Sequence, residues 1–162
     1  MPQKSSAPRR STLLAELAVT SRRYMASYAL FNQAVADHLG LHPTDLQCLN
    51  LLGLEAGPVT TGRVAELTGL TTGSATRLVD RLERAGYVTR ARDTADRRRV
   101  LVTTVPERMA EFGAVWERLN GGWAALFDTY SDDEVAFLIA HMRRTVELSA
   151  TQVEKLRDGD TP

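Results

Sequence analysis

The stretch 71-TTGSATRLVDRLERAGYVTRARDTADRRRVLVTT-104 changes its periodicity half-way, and that change decides the fold. Over residues 71–85, Ala75, Leu78, Val79 and Leu82 recur at three- and four-residue intervals, which is one apolar face of a helix. Gly86 stands where a helix C-terminus favours a residue with positive φ. Beyond it, 87-YVTRAR-92 and 99-RVLVTT-104 are β-rich and flank the polar tip 93–98, the pattern of an antiparallel hairpin. Upstream, residues 60–67 (TTGRVAEL) predict a short helix with Val64, Ala65 and Leu67 inward. Thr68, Gly69 and Leu70 then make a tight turn into the helix at 71–85. Two helices joined by a short glycine-containing turn form a helix-turn-helix, and the hairpin adds a wing.

Working outward, residues 43–55 (PTDLQCLNLLGLE) predict a helix with Leu46, Leu49 and Leu52 on its apolar face, closed by the Gly57-Pro58 turn. Before it, Leu14, Leu17, Ser21, Tyr24, Tyr28, Phe31, Val35 and His38 follow a 3-4 spacing that predicts one long helix from Ser11 to about Leu39. Residues 1–10 are polar and proline-bearing, and are expected to be a disordered arm. Downstream, Pro106 opens another long helix with Met109, Phe112, Trp116, Leu119, Trp123 and Leu126 in the same spacing, weakened at Gly121-Gly122. Ser131 to Glu134 is a capping box for a last helix. The expected organisation is therefore an arm at 1–10, a dimerisation helix at 11–42, a winged helix-turn-helix at 43–105 and C-terminal dimerisation helices at 106–158. The fold class is mainly α with a small β-hairpin wing. Apolar seams on helices of roughly 30–45 Å outrun the central module, so a second copy of the chain is the expected cover. An intrachain bundle is the competing arrangement.

The 162 residues carry 20 Lys+Arg and 20 Asp+Glu, and a neutral chain argues against nucleic acid on average. The distribution argues the other way. Residues 77–106 hold eight arginines and four acids, a net +4, while residues 107–162 are at −5. The basic charge thus sits on the second helix of the motif and on the wing. There the outward face presents Thr71, Thr72, Gly73, Ser74, Thr76, Arg77 and Arg81. Small polar residues at a helix N-terminus permit close approach to base edges and phosphates, and Arg77 is long enough to reach guanine O6 and N7. At the wing, Arg98 and then Arg97 are the arginines expected to enter a narrow minor groove, with Asp93 and Asp96 holding them in place. Arg81 and Arg84 could equally pair with Asp80 and Glu83 on a solvated face.

These residues resemble the MarR family of winged-helix transcription regulators. The likeness rests on 76-TRLVDRLE-83, on 85-AGYV-88 and on the wing 92-RDTADRR-98, and the order of helices extends it over the whole chain. It implies a homodimer that binds a pseudo-palindromic double-stranded DNA operator, acts as a repressor, and is released by a small phenolic or anionic effector. The stretch 103-TTVPER-108 departs from the family's Leu-Thr-x-x-Gly pattern. Tyr24, Tyr28, Phe31, His38, His42 and Trp116 are the candidate lining of an effector cleft, although aromatics on a heptad stripe also serve as core.

Other functions find less support. His38 and His42 are four residues apart but have no Cys or carboxylate cluster beside them, so no metal is expected. Lone Cys48 permits no intrachain disulfide and reads as a small buried hydrophobe, in keeping with a reducing cytoplasm. No nucleophile–base–acid set or Gly-rich phosphate loop points to an enzyme, and no cofactor is expected. No apolar run has the length of a membrane span, and the N-terminus lacks a signal-peptide core. A winged helix used only for protein–protein contact remains the alternative, and it would not need an arginine-rich wing tip.

Overall fold

The computed structural model describes residues 6–159. In chain order it contains α1 (Ser6–Leu39), α2 (Pro43–Leu52), β1 (Val59–Thr60), α3 (Thr61–Thr68), α4 (Thr72–Arg84), β2 (Val88–Arg92), β3 (Val100–Thr104), α5 (Pro106–Phe127) and α6 (Asp132–Arg157). The elements fall into two compact units, one running through Ala110 and the other beginning at Glu111.

In the first unit, the apolar faces that periodicity predicts for α2, α3 and α4 meet in one core. Leu46, Cys48 and Leu49 of α2, Val64 of α3, and Ala75, Leu78, Val79 and Leu82 of α4 are all fully buried. Val35 and Ala36 bring the end of α1 into the buried set, and α1 packs against α2 within this unit. The leucine and valine side chains among them each contribute about 1.5–3 kcal/mol when removed from water. α3 and α4 each start on a threonine side-chain cap, as the sequence chemistry favours. Thr60 Oγ1 accepts the Arg63 N–H at 3.2 Å, and Thr71 Oγ1 accepts the Ser74 N–H at 3.3 Å.

Gly69 ends α3 at φ +70 and Gly86 follows α4 at φ +77. After Gly86 the chain reverses, with the Tyr87 N–H bonded to the Leu82 carbonyl at 2.9 Å. Tyr87 is buried beneath the Arg108 guanidinium, 4.6 Å from its ring centroid, which ties the start of the wing to the start of α5.

The wing sheet has three antiparallel strands in the order β1-β3-β2. Its register pairs Val88 with Thr104, Arg90 with Val102 and Arg92 with Val100, while Val59 pairs with Val102 across the other edge of β3. The short strand β1 extends the expected hairpin. Two residues, Val59 and Thr60, are too few to leave a periodic signal in a sequence.

Two further boundaries differ from expectation. The expected disordered arm at 1–10 is corrected in its second half: α1 already begins at Ser6, and residues 1–5 lie outside the described residues. Arg9 and Arg10 therefore continue the helix, as good helix formers do. α2 stops at Leu52 rather than Glu55, with Gly53 as its cap. As expected, α5 is one helix through Gly121 and Gly122.

In the second unit, α6 starts at a complete capping box. The Ser131 N–H and Oγ–H both donate to Glu134 Oε2 at 2.8 Å, and the Glu134 N–H returns to Ser131 Oγ. These hydrogen bonds, the backbone one foremost, hold the Glu134 carboxyl below its ordinary value. Phe112 meets Trp116 edge-on on α5, with centroids 6.1 Å apart. No residue of α6 is buried: Phe137 is 70% exposed and Val146 70%.

Candidate nucleic-acid interface

Burial of its Ala75, Leu78, Val79 and Leu82 face fixes how α4 is rolled about its axis. Thr72, Gly73, Thr76 and Arg77 consequently face outward and are exposed. Thr71 is the cap of the helix. Its hydroxyl also donates to Ser74 Oγ at 3.1 Å, and Arg77 Nη2 donates to the same oxygen at 3.2 Å. Half-buried Ser74 thus steadies the arginine expected to reach a base edge. The first turn of α4 carries no acidic side chain, which leaves its N–H groups and positive dipole end uncompensated by a carboxylate.

The wing tip is organised by its two aspartates. Asp93 Oδ1 accepts the Ala95 N–H at 2.8 Å, and Asp96 Oδ1 accepts the Arg98 N–H at 3.1 Å. The backbone closes the loop with Asp93 N–H to the Arg99 carbonyl and Arg99 N–H to the Asp96 carbonyl. Arg98 Nε lies 3.3 Å from Asp96 Oδ1, yet its side chain is 93% exposed. Arg97 is likewise exposed, and Arg99 leans toward Asp93 at 3.8 Å. The aspartates thus shape the turn and hold the root of Arg98 while leaving its length in solvent.

α4 is braced from two sides. Arg90 of β2 reaches α4, with Nη1 on Asp80 and Glu83 and Nη2 donating to the Thr76 carbonyl at 3.2 Å. Arg81 departs from its expected role, since its guanidinium turns back to α2. Nε donates to Asp45 Oδ2 at 2.9 Å, and Nη2 donates to Asp45 Oδ1. Pairing of Arg81 and Arg84 with Asp80 and Glu83 is also replaced: Arg90 takes both carboxylates, and Arg84 Nε donates to the Asp80 carbonyl. The Asp45 hydrogen bonds raise the Arg81 guanidinium above its ordinary value, against the opposing effect of burial.

Comparison with known proteins agrees with this geometry. The profile of the MarR family matches residues 39–99, from the end of α1 to the wing tip. The HTH-type transcriptional regulator YcgE of Bacillus subtilis (strain 168), itself uncharacterized, is 38% identical over 128 residues, covering 79% of this chain and 82% of its own. The chain belongs to the MarR family.

Two solved structures place this MarR-family chain in the same fold. A MarR family protein from Bacillus stearothermophilus superposes with a TM-score of 0.69 at 24% identity, over 86% of this chain and 97% of that one. A probable transcriptional regulator from Pseudomonas aeruginosa superposes at 0.60 with 26% identity, over 82% and 98%. This MarR-family chain is a DNA-binding transcriptional regulator. Among the described residues, no helix is long and apolar enough to cross a membrane, and no group of three or more His, Cys, Asp or Glu could hold a metal ion.

The candidate effector residues of this MarR-family regulator do not all line one groove. Tyr24 and Tyr28 stack at 6.4 Å and line a groove of about 530 Å³ between α1 and α2, with Met25, Asn32, Thr44 and Gln47 among their neighbours. Phe31 and His38 are not among the residues lining that groove. His42 is the N-cap of α2, its Nδ1 accepting the Thr44 N–H at 3.3 Å. Trp116 belongs to the second unit. Sequence reading missed Asp45, Arg90 and the polar wall of Asn32, Gln47 and Asn50. Asp45 and Arg81 lie 36 positions apart, so no local pattern couples them.

Proposed function

We propose that the protein is a homodimeric repressor that places α4 of each protomer in successive major grooves of a pseudo-palindromic operator. Half-sites would lie about one helical turn apart, roughly 10 bp. Thr71, Thr72, Gly73, Ser74, Thr76 and Arg77 line the reading end of α4, and Arg98, seconded by Arg97, enters the flanking minor groove. The observation that carries this reading is the 93% exposure of the Arg98 side chain on a tip whose backbone is held by Asp93 and Asp96. An extended arginine on a preordered loop loses little conformational freedom on entering a narrow groove.

Dimerisation is supported by the uncovered apolar side chains of the terminal helices. Leu13, Leu14 and Leu17 on α1, and Ile139, Met142 and Leu156 on α6, are each 45% exposed or more. Patches of this kind on a water-soluble chain mark contact surfaces.

An effector would sit in the groove of Tyr24 and Tyr28. None of its lining side chains is charged, so the groove favours the phenolic over the anionic kind. Release would follow from a change in the separation of the two recognition helices, a coupling of about 1–3 kcal/mol. Cytoplasmic location goes with this reading.

The test selects a binding duplex from a random pool with the wild-type protein and then measures Arg98→Ala on it. Specific binding should be abolished; unchanged affinity would sink the proposal.

A further inference from the structure

We propose that Arg81 is a positioning residue for DNA recognition: by its paired hydrogen bonds to buried Asp45 it sets the pose of α4 and spends its charge inside the protein rather than on a phosphate. The inference rests on the reading of α4 as the recognition helix and assigns its rear half a separate task.

Three observations carry it. First, the contact is two-pronged, using Nε and Nη2 of the fork on both carboxylate oxygens, which fixes angle as well as distance. Second, the partners are unequal. The Asp45 side chain is 3% exposed and that of Arg81 40% exposed. Moving Arg81 to a phosphate would leave a buried carboxylate with neither water nor counter-charge, a state that proteins avoid. Third, the pair joins the first turn of α2 to the last turn of α4, where each charge also complements its own helix dipole.

Together with Arg90, the pair holds α4 at the Thr76 carbonyl, Asp80, Arg81 and Glu83, and leaves the side chains of Thr72, Thr76 and Arg77 facing outward. α4 has 13 residues and so is about 20 Å long. A tilt of about 10° at the braced end would move the reading end by about 3 Å, enough to break a base contact.

The experiment measures affinity for the selected duplex, and for a scrambled duplex of equal length, from low to moderate salt. Proteins are the wild type, Arg81→Lys, Arg81→Met, Asp45→Asn, the double variant Asp45→Asn/Arg81→Met, and Arg77→Ala. Active concentrations come from stoichiometric titration, so partial unfolding does not pass for weak binding. Arg81→Lys keeps a positive charge for any phosphate but loses the fork, and Asp45→Asn touches no DNA-facing charge. Both should weaken binding to the selected duplex by roughly tenfold, about the loss of one base contact, with the scrambled duplex unaffected. The slope of log affinity against log salt should stay that of the wild type, and the double variant should be no weaker than Arg81→Met alone.

Normal binding by Asp45→Asn or Arg81→Lys overturns the proposal. So does a salt slope reduced by about one in Arg81→Met, the mark of a lost phosphate contact. Should Arg81→Met fail to fold, Arg81→Lys and Asp45→Asn decide alone. Arg77→Ala separates the two levels. If it binds normally, the reading of α4 falls and this proposal with it; if it binds weakly while Asp45→Asn binds normally, only the role of Arg81 falls.

Discussion

Arg90 on the first long strand of the wing is ion-paired with Asp80 on α4, so the wing and α4 are joined by a side chain as well as by the chain between them. The same guanidinium reaches Glu83 at 3.0 Å and the Thr76 carbonyl at 3.2 Å. Partly exposed pairs each contribute only tenths of a kcal/mol, and the carbonyl hydrogen bond about 1 kcal/mol. Arg90→Met should therefore lower unfolding free energy by about 1–2 kcal/mol in a denaturant titration. Faster amide exchange over residues 88–104 should accompany it, because the wing loses its anchor to α4.

Asp96 offers a test in which two effects have opposite signs. Removing a carboxylate beside the wing arginines should strengthen DNA binding by simple charge. Yet Asp96 accepts the Arg98 N–H and lies against Arg98 Nε, so its loss also frees the tip. We expect ordering to win: Asp96→Ala should bind the selected duplex several-fold more weakly. Binding as tight as the wild type, measured by anisotropy, would show that the tip needs no preordering.

Cys48 is a proton-linked probe of the core. Burial, with Asp45 adding to the effect, pushes its thiol from 9.0 up to about 12. A value raised by folding means that its contribution is fully present below about pH 9 and is lost as pH rises toward 12. The stability advantage of wild type over Cys48→Ala should therefore shrink by about 1.4 kcal/mol per pH unit above pH 9. In the folded protein at pH 8, iodoacetamide should modify Cys48 only as fast as the core opens.

Gly69 sits at φ +70 in the turn between α3 and α4, and an added Cβ would meet nothing within 4 Å. The cost of Gly69→Ala is thus conformational and not a clash, about 1–2 kcal/mol, while Gly69→Asn should recover part of it. A thermal melt that ranks glycine, asparagine and alanine in that order of stability checks the backbone assignment.

Much of the fold is legible in local pattern because helix and strand periodicities are properties of short windows. The α4 face, the Gly86 reversal, the hairpin and the Ser131 capping box all arise between residues at most 16 positions apart, and all appear where expected. The exposed residues of α4 and the wing tip follow from the same windows, since burying one face exposes the other. The cleft was less legible: His42 reads as a ligand candidate, but its position before Pro43 makes it a helix cap.

What the sequence by itself determined is the family, the order of elements and the concentration of arginine on 77–106, beneath a net charge of zero. Only the tertiary structure decided how those arginines divide. Arg97 and Arg98 stand in solvent, Arg90 and Arg81 turn inward to carboxylates, and a like run of residues gives no sign of the difference. The reason is physical. An arginine's partner is set by which carboxylate folding brings within hydrogen-bond reach and removes from water, and for Arg81 that carboxylate is 36 residues away on another helix.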